Sequence, residues 1–525
     1  MRHRPLGEFS SGAWFVEEPN NLQHSIGAGA VRISRVTKSW LAGERMATAG
    51  VIPANLGASL GELGEFLASP AEIFLTVGHV SMKVAVIGLG YLGATTAVAL
   101  ALVGHDVIGI DPDQSKVDAL RAGRVPFFEP GLDEALVEAQ ATGRLTIQTE
   151  HTCTSAAADV FLLCVGTPQS RTGLGADLRY LESSIDNLAP YLRPEAIVVG
   201  KSTVPVGTAE ALKARLSALV PFEPFVSWNP EFLREGTALK DTLTPDRIVI
   251  GVDEPHSEAL LRRMYQPMAD LNIPIVKVDS KTAELVKVAA NSFLATKISF
   301  INAMAEISEK VGADAVLLAE AIGYDERIGN KFLKTGIGFG GGCLPKDIRA
   351  FQACASDLGL EQSVSFLAQV EDINLRRRTR VVEIAREELG DLSNRRVAML
   401  GAAFKPETDD IRDSPAMAVA ELLWAAGAHV VVHDPKAIDN VRRVYPNLTV
   451  ADTLDEAVTA AELVVVGTEW REYALADSAH LGALVANKLV IDGRNVLPYR
   501  QWQENGWNVI ALGRNLEHNA VEVFA

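Results

Sequence analysis

The feature that most constrains this chain is a turn. Gly88-Leu89-Gly90-Tyr91-Leu92-Gly93 follows the apolar run Val84–Ile87 and opens a helical pattern, and Asp111 stands just past the next strand-like run, Val107–Ile110. A bare GxGxxG is a weak signal. Strand, glycine turn, helix, second strand and an acid 18 residues past the last glycine together describe a dinucleotide-binding βαβ unit. Gly88 makes the tight turn, Gly90 lets the backbone approach a pyrophosphate at the helix N-terminus, and Gly93 lets helix and strand pack closely. Asp111 accepts from ribose hydroxyls and repels a 2′-phosphate, which favours NAD over NADP. The competing reading is a glycine-rich turn that binds nothing.

The same turn argues against a membrane span. Val84 to Gly104 runs 21 residues without a charge, long enough to cross a bilayer. Three glycines break the run near its start, and a second strand-like segment follows at once. The net charge of −17 argues against nucleic acid and anionic membrane as partners. Four cysteines, with no CxxC and no zinc spacing, fit a reducing cytoplasm and no metal.

At 525 residues the chain is too long for one core. Residues 1–81 are rich in Gly and Ser, show no sustained period and lack the pattern of a signal peptide; they read as a poorly ordered extension ahead of Met82. From Lys83, short apolar runs alternate with helical patterns: Val84–Ile87, Val107–Ile110, Val160–Val165, Ala196–Val199 and Phe225–Trp228. That alternation predicts a parallel sheet with helices on both faces. Lys281 to Val311 is one long helical pattern that ends at Gly312. Strands return at Arg396–Leu400, His429–His433, Leu463–Val466 and Leu489–Ile491. The expected architecture is α/β: a dinucleotide-binding Rossmann domain over 82–275, a central helical domain over 276–390, and a second doubly wound, Rossmann-like domain over 391–525.

Gly336-Ile337-Gly338-Phe339-Gly340-Gly341-Gly342-Cys343-Leu344-Pro345-Lys346-Asp347 carries the most chemistry. Five glycines in seven residues make a bare loop whose N–H groups can cradle a polar ligand. Pro345 suits a first helical turn, with the helix continuing over Asp347–Leu358. Cys343 is thus placed at a helix N-terminus beside Lys346, and both features favour the thiolate. Cys153, Cys164 and Cys354 read as packing residues. A nucleophilic thiol beside NAD points to one sequence of events. Hydride removal from an alcohol gives an aldehyde; the thiol adds to form a thiohemiacetal; loss of a second hydride gives a thioester; water releases the acid.

Other groups are ambiguous from residues alone. Lys287 and Asn291 share a helix face, where a lysine is usually a solvated charge. Glu231 and Glu235 lie in Asn229-Pro230-Glu231-Phe232-Leu233-Arg234-Glu235-Gly236 after a strand end, and exposed loop carboxylates are the default reading. The stretch 404–412 follows the first strand of the last domain without a GxGxxG, so its Lys405 and Arg412 are candidates for phosphate rather than for a second NAD.

Together these stretches resemble the UDP-glucose/GDP-mannose dehydrogenase family. The similar segments, in order, are VIGLGYLG at 87, AGRVPFFEPGLDE at 122, CVGTP at 164, KSTVPVGT at 201, NPEFLREG at 229, DRIVIG at 246, ELVKVAANSF at 284, RIGNKFL at 327, GFGGGCLPKD at 338, FKPETDDIRDSP at 404 and DGRN at 492. The resemblance runs from Met82 nearly to the C-terminus. It implies NAD-dependent, four-electron oxidation of UDP-glucose to UDP-glucuronate, in a homodimer or higher homo-oligomer. It implies Cys343 as nucleophile, Lys287 and Asp347 for oxyanion, proton and water handling, Asn291 beside them, and Thr203 with Glu231 to position water. Cofactor contacts implied are Gly88, Gly90, Leu92, Gly93, Asp111, Lys116, Thr167, Thr203, Glu235, Lys346 and Arg412. Substrate contacts implied are Glu231, Phe232, Leu233, Arg234, Glu235, Lys287, Asn291, Phe332, Leu333, Lys334, Thr335, Gly336, Gly340, Lys405 and Arg494, with Arg327 reaching across a dimer interface. The basic residues among them supply a local positive field on an acidic protein. NPEFLREGTALKDTLTPDRIVIG looks like the UDP-glucose branch, whereas CLPKD departs from the CFPKD form common there and also occurs in similar form in the GDP-mannose branch. GDP-mannose or another nucleotide sugar is therefore the first alternative substrate. A non-catalytic nucleotide sensor is the remote alternative, opposed by the intact Cys343, Lys287 and Asp347.

Overall fold

The computed structural model describes residues 80–170 and 173–516, all within one of the chain's two units, Phe66–Ala525. The expected N-terminal extension, save Val80 and Ser81, lies outside the described residues.

The first sheet has eight strands: β1 (Lys83–Ile87), β2 (Asp106–Ile110), β3 (Leu145–Gln148), β4 (Val160–Leu163), β5 (Ile197–Gly200), β6 (Phe225–Trp228), β7 (Ile248–Gly251) and β8 (Ile275–Val278), in the order β3-β2-β1-β4-β5-β6-β7-β8. From β3 to β6 neighbours run parallel. β7 instead meets β6 antiparallel at Trp228 and Gly251, and β8 is parallel to β7. The strands expected from the sequence, β1, β2, β4, β5 and β6, are parallel as expected, and the reversal lies at β7, which was not among them. β6 is followed by the 229–236 loop and the six-residue helix Ala238–Leu243 rather than by a full crossover helix, so the chain re-enters from the opposite end.

Along β1, Val84 and Val86 join one core while Ala85 and Ile87 join another. Both faces of the sheet are covered, which is why its strands read as unbroken apolar runs. Helix α1 (Tyr91–Leu102) is buried from Gly93 onward, so the uncharged 21-residue run is a strand, a turn and an enclosed helix. Among the described residues no helix is long and apolar enough to cross a membrane.

Helix α2 (Ser280–Val311) matches the long predicted pattern. Asp279 caps it by accepting from the Thr282 amide, and Gly312, at φ 76°, ends it. Its 32 residues span about 48 Å. Since β8 extends to Val278, the expected 275/276 division falls inside that strand. Helices α3 (Leu344–Asp357) and α4 (Phe366–Leu389) pack against α2.

The second sheet contains β9 (Arg396–Leu400), β10 (His429–His433), β11 (Thr449–Val450), β12 (Leu463–Val466), β13 (Leu489–Asp492) and β14 (Asn508–Ala511), all parallel, in the order β11-β10-β9-β12-β13-β14. The turn after β9 spends its Ala402 and Ala403 amides on Asp434, at 2.7 and 2.9 Å. The Trp470 indole N–H donates to the same carboxylate oxygen. The architecture is thus two Rossmann-like α/β sheets joined by a helical middle built on one long helix.

Candidate active site

The three turn glycines have three different physical reasons. A Cβ on Gly93 would sit 1.7 Å from the Gly88 carbonyl oxygen, so only glycine lets α1 start so close to the strand. Gly88 holds φ 87°. A Cβ on Gly90 would meet nothing within 4 Å: that side is open. The α1 N-terminus has no side-chain cap and no acid in its first turn, so its N–H groups are free for an anion. Asp111 is buried and accepts from the Leu89 amide at 2.8 Å and the Lys116 ammonium at 2.7 Å, which places a carboxylate where a ribose would lie. These residues fit NAD. Leu92 lines a cavity together with Glu231, Phe232, Leu233 and Arg234. The Thr167 hydroxyl donates to the Thr203 carbonyl at 2.8 Å, and Thr203 in turn lines a second cavity with Lys346 and Asp347.

Around Cys343 the charged side chains converge from three segments. Lys287, on α2 and 5% exposed, is paired with Glu231 at 3.1 Å and stands 5.5 Å over the Phe232 ring. Burial pulls its pKa down, but Glu231, Cys343 and Asp347 outweigh that and hold it above the ordinary lysine value. One helical turn on, Asn291 donates to Asp347 at 2.6 Å. Asp347 is fully buried and takes Lys346 on its other oxygen at 2.6 Å. Lys287 is therefore not a solvated charge. The two loop acids are not exposed either, since Glu231 and Glu235 side chains are 14% and 11% accessible.

Cys343 is the N-cap residue of α3, with Pro345 in the first turn. The expected thiolate is corrected. Cys343 is exposed at the cleft, yet crowding by protein pushes its thiol up to about 12. Lys287 opposes the rise; Asp347, Glu231 and Glu235 add to it. Partial access to water softens the effect without reversing its sign. Lys346 does not counter it, because its ammonium is spent on Asp347.

The glycine loop is not a bare cradle. A Cβ on Gly340 would lie 2.3 Å from the Asp413 carbonyl oxygen, and one on Gly342 would lie 2.4 Å from the Arg412 guanidinium carbon. Gly336 and Gly338 are as tight against Gly493 and Asn374. The glycines let the loop press between α4 and the second sheet. Arg494, implied as a substrate contact, donates to the carbonyls of Gly467, Gly338 and Phe404 at 2.8, 2.9 and 3.2 Å and so ties the loop to that sheet.

The remaining implied contacts divide. Lys405 donates to the Glu235 carbonyl at 2.5 Å, and the Thr408 hydroxyl reaches the Glu235 carboxylate at 3.0 Å. Burial, then Asp410, push Glu235 up to about 7. Leu233 is half-buried, with its amide on Glu231. Arg234 is drawn to Asp241. Thr335 is buried and bonded to Asn495, whereas Lys334 and Phe332 are exposed, Phe332 at φ 62°. Arg327 stays away from the cleft, 89% exposed and paired with Asp325.

Four supporting residues were missed. Asn374 both accepts from and donates to the Phe339 backbone, and Asn302 accepts from the Gly336 amide. Glu284 takes the Gly207 and Ala209 amides, and Glu129 takes those of Gly236 and Ala238. Glu129 and Glu284 carried a signal, as the acids of the PFFEP and ELVKVAANSF stretches.

Comparison with known proteins agrees with this geometry. Residues 82–269 match the NAD binding domain of the UDP-glucose/GDP-mannose dehydrogenase family, residues 281–376 its central domain, and residues 398–499 its UDP binding domain. The UDP-glucose 6-dehydrogenase of Rhizobium meliloti (strain 1021) is 40% identical over 437 residues, covering 82% of this chain and 100% of that protein. UDP-glucose 6-dehydrogenase YwqF of Bacillus subtilis (strain 168) is 38% identical over 436 residues, covering 82% and 98%. The solved structure of a UDP-glucose dehydrogenase from the hyperthermophilic archaeon Pyrobaculum islandicum superposes with a TM-score of 0.75 at 38% identity, covering 83% of this chain and 98% of that one. With all three domains matched in order, the chain belongs to the UDP-glucose/GDP-mannose dehydrogenase family.

Proposed function

We propose that this chain is an NAD-dependent UDP-glucose 6-dehydrogenase that carries the sugar C6 alcohol to a carboxylate, giving UDP-glucuronate, without releasing the aldehyde. The observation that carries the reading is the placement of Cys343 at a helix N-terminus between the Lys287–Glu231 pair and the Asn291–Asp347–Lys346 chain. NAD, when bound, accepts a hydride at each oxidation. The Cys343 sulfur adds to the aldehyde carbon as the thiol proton leaves, and Lys287 and Asn291 stabilise the oxyanion of the resulting thiohemiacetal. After the second oxidation a water adds to the thioester carbonyl, deprotonated through Asp347 or Glu231, and the thiol leaves. Thr203 helps hold that water. The names of the similar proteins support UDP-glucose over GDP-mannose.

Oligomerisation is part of the proposal. Phe293, Phe300 and Ile307 recur every seven residues along α2 and are 67%, 50% and 54% exposed. A second copy would cover that stripe and bring its own Arg327 toward a neighbouring cleft. We place the enzyme in the cytoplasm, where its free thiols stay reduced. The test is a panel of nucleotide sugars followed by NADH absorbance, with sugar consumption measured in parallel. UDP-glucose should be preferred, with two NADH per sugar. Preference for GDP-mannose would move the substrate, and one NADH per sugar would remove the two-step oxidation.

A further inference from the structure

Tyr91 is the first residue of α1, directly after the open Gly90 position where a pyrophosphate fits. Its hydroxyl donates to Glu129 Oε2. The Gly236 amide, at the end of the 229–236 loop, donates to the same oxygen at 2.6 Å and approaches the Tyr91 hydroxyl at 3.0 Å. The Ala238 amide donates to Glu129 Oε1 at 2.6 Å. Glu129 is 5% exposed and forms no ion pair among the described residues. One buried carboxylate thus gathers a donor from the start of α1, one from the end of the sugar loop and one from the helix that follows it. Burial first, then Glu129, push the Tyr91 phenol up, so it remains a donor at neutral pH.

A buried carboxylate with no cation in ion-pair contact, Lys405 acting on it only from further off, is tolerated only while its donors stay in place. The two segments must therefore order together. An anion fixed at the α1 N-terminus holds Tyr91, and Tyr91 with Glu129 holds Gly236 and Ala238. The ligand that arrives second meets a loop already ordered, and ordering already done is affinity gained.

We infer that Glu129 and Tyr91 are positioning residues that couple the cofactor turn to the nucleotide-sugar loop, so that a bound dinucleotide raises the affinity for the sugar and the sugar raises it for the dinucleotide by the same factor. This rests on the reading of loop 231–236 as part of the UDP-glucose site.

The experiment uses the full chain with NADH and UDP-glucose, a pair that cannot react. Titrating UDP-glucose with and without saturating NADH gives the coupling factor, expected to be about fivefold or more in the wild type. In Glu129→Gln and in Tyr91→Phe the factor should fall toward one, while UDP-glucose affinity in the absence of NADH changes far less. A merely structural role would weaken both affinities and leave their ratio intact, which overturns the inference, as does a wild type with no coupling. If Glu129→Gln fails to fold, Tyr91→Phe, which removes one oxygen atom, carries the test alone. Failure of the wild type to bind UDP-glucose at all would be recognisably different: it sinks the functional reading beneath.

Discussion

Lys287→Met separates the chemistry of this site from its stability. The substitution keeps most of the side-chain volume and removes the cation that most strongly pulls the Cys343 thiol down. It also strips Glu231, 14% accessible, of its 3.1 Å partner. Leaving a buried ion pair half-made costs about 3–5 kcal/mol of stability, and the upper end is out of reach because Glu231 keeps the Leu233 amide at 2.7 Å. Losing one preorganised oxyanion donor lowers turnover by about 10²–10³-fold. These two losses respond differently to a second change. Lys287→Met/Glu231→Gln should recover most of the stability, because the orphaned charge is gone, and none of the turnover. Denaturant unfolding and steady-state NADH release, on both variants and on Glu231→Gln, close the cycle. Turnover within about tenfold of wild type in Lys287→Met would refute the assignment.

Three further outcomes follow. Cys343→Ser should bind NAD and UDP-glucose but lose turnover by several orders of magnitude, because a hydroxyl is less acidic than a thiol and an oxyester hydrolyses less readily. Intact-protein mass after incubation checks for a trapped acyl adduct, and near wild-type turnover without one removes the covalent route. Asp111→Ala should weaken NAD and relax the bias against NADP, measured as the ratio of their dissociation constants; an unchanged ratio would show that Asp111 is not the ribose ligand. For Glu235 the folded carboxyl sits at about 7 against an ordinary 4.5, so the native state holds its proton more tightly than the unfolded chain does. The wild type should therefore lose stability relative to Glu235→Gln as pH rises through that window, by no more than about 3 kcal/mol, and a gap in melting temperature that does not move with pH would contradict this.

What was legible in the sequence was local. The glycine turn, Asp111 and the N-terminal placement of Cys343 are each fixed by a few consecutive residues, and all are found in place. The missed strands lacked that self-sufficiency. β3 alternates buried and exposed positions near the sheet edge, β8 is largely open, and β11 has two residues. β7 is apolar enough, but its reversed direction comes from the connection before it. The glycine loop misled for a related reason. Glycine marks either an open backbone or a crowded one, and only the neighbours, Asn374, Asp413 and Arg412, distant in sequence, decide for crowding. The resting state of the thiol is hidden likewise, since Lys346 adjoins Asp347 in sequence and in space, whereas Glu231 and Glu235 come from over a hundred residues upstream.

That resting state makes the last expectation the most discriminating. Carboxylates outnumber cations around Cys343, and the crowding protein adds to their effect, so the surroundings favour the thiol over the thiolate. A thiol suits this chemistry: the nucleophile is wanted only once an aldehyde exists, and addition can release the proton as the carbon–sulfur bond forms. Alkylation by iodoacetamide requires the thiolate, so its rate at Cys343 should be slow at neutral pH and still be climbing with pH above the ordinary thiol midpoint of about 8.5. Peptide mapping separates Cys343 from the exposed Cys153 and the half-buried Cys354. Lys287→Met should slow the reaction further, and Asp347→Asn should speed it, since one removes the cation that favours the thiolate and the other a carboxylate that opposes it. A profile that levels off below about 8 would show a thiolate at rest, and the balance of charge drawn here around Cys343 would be wrong.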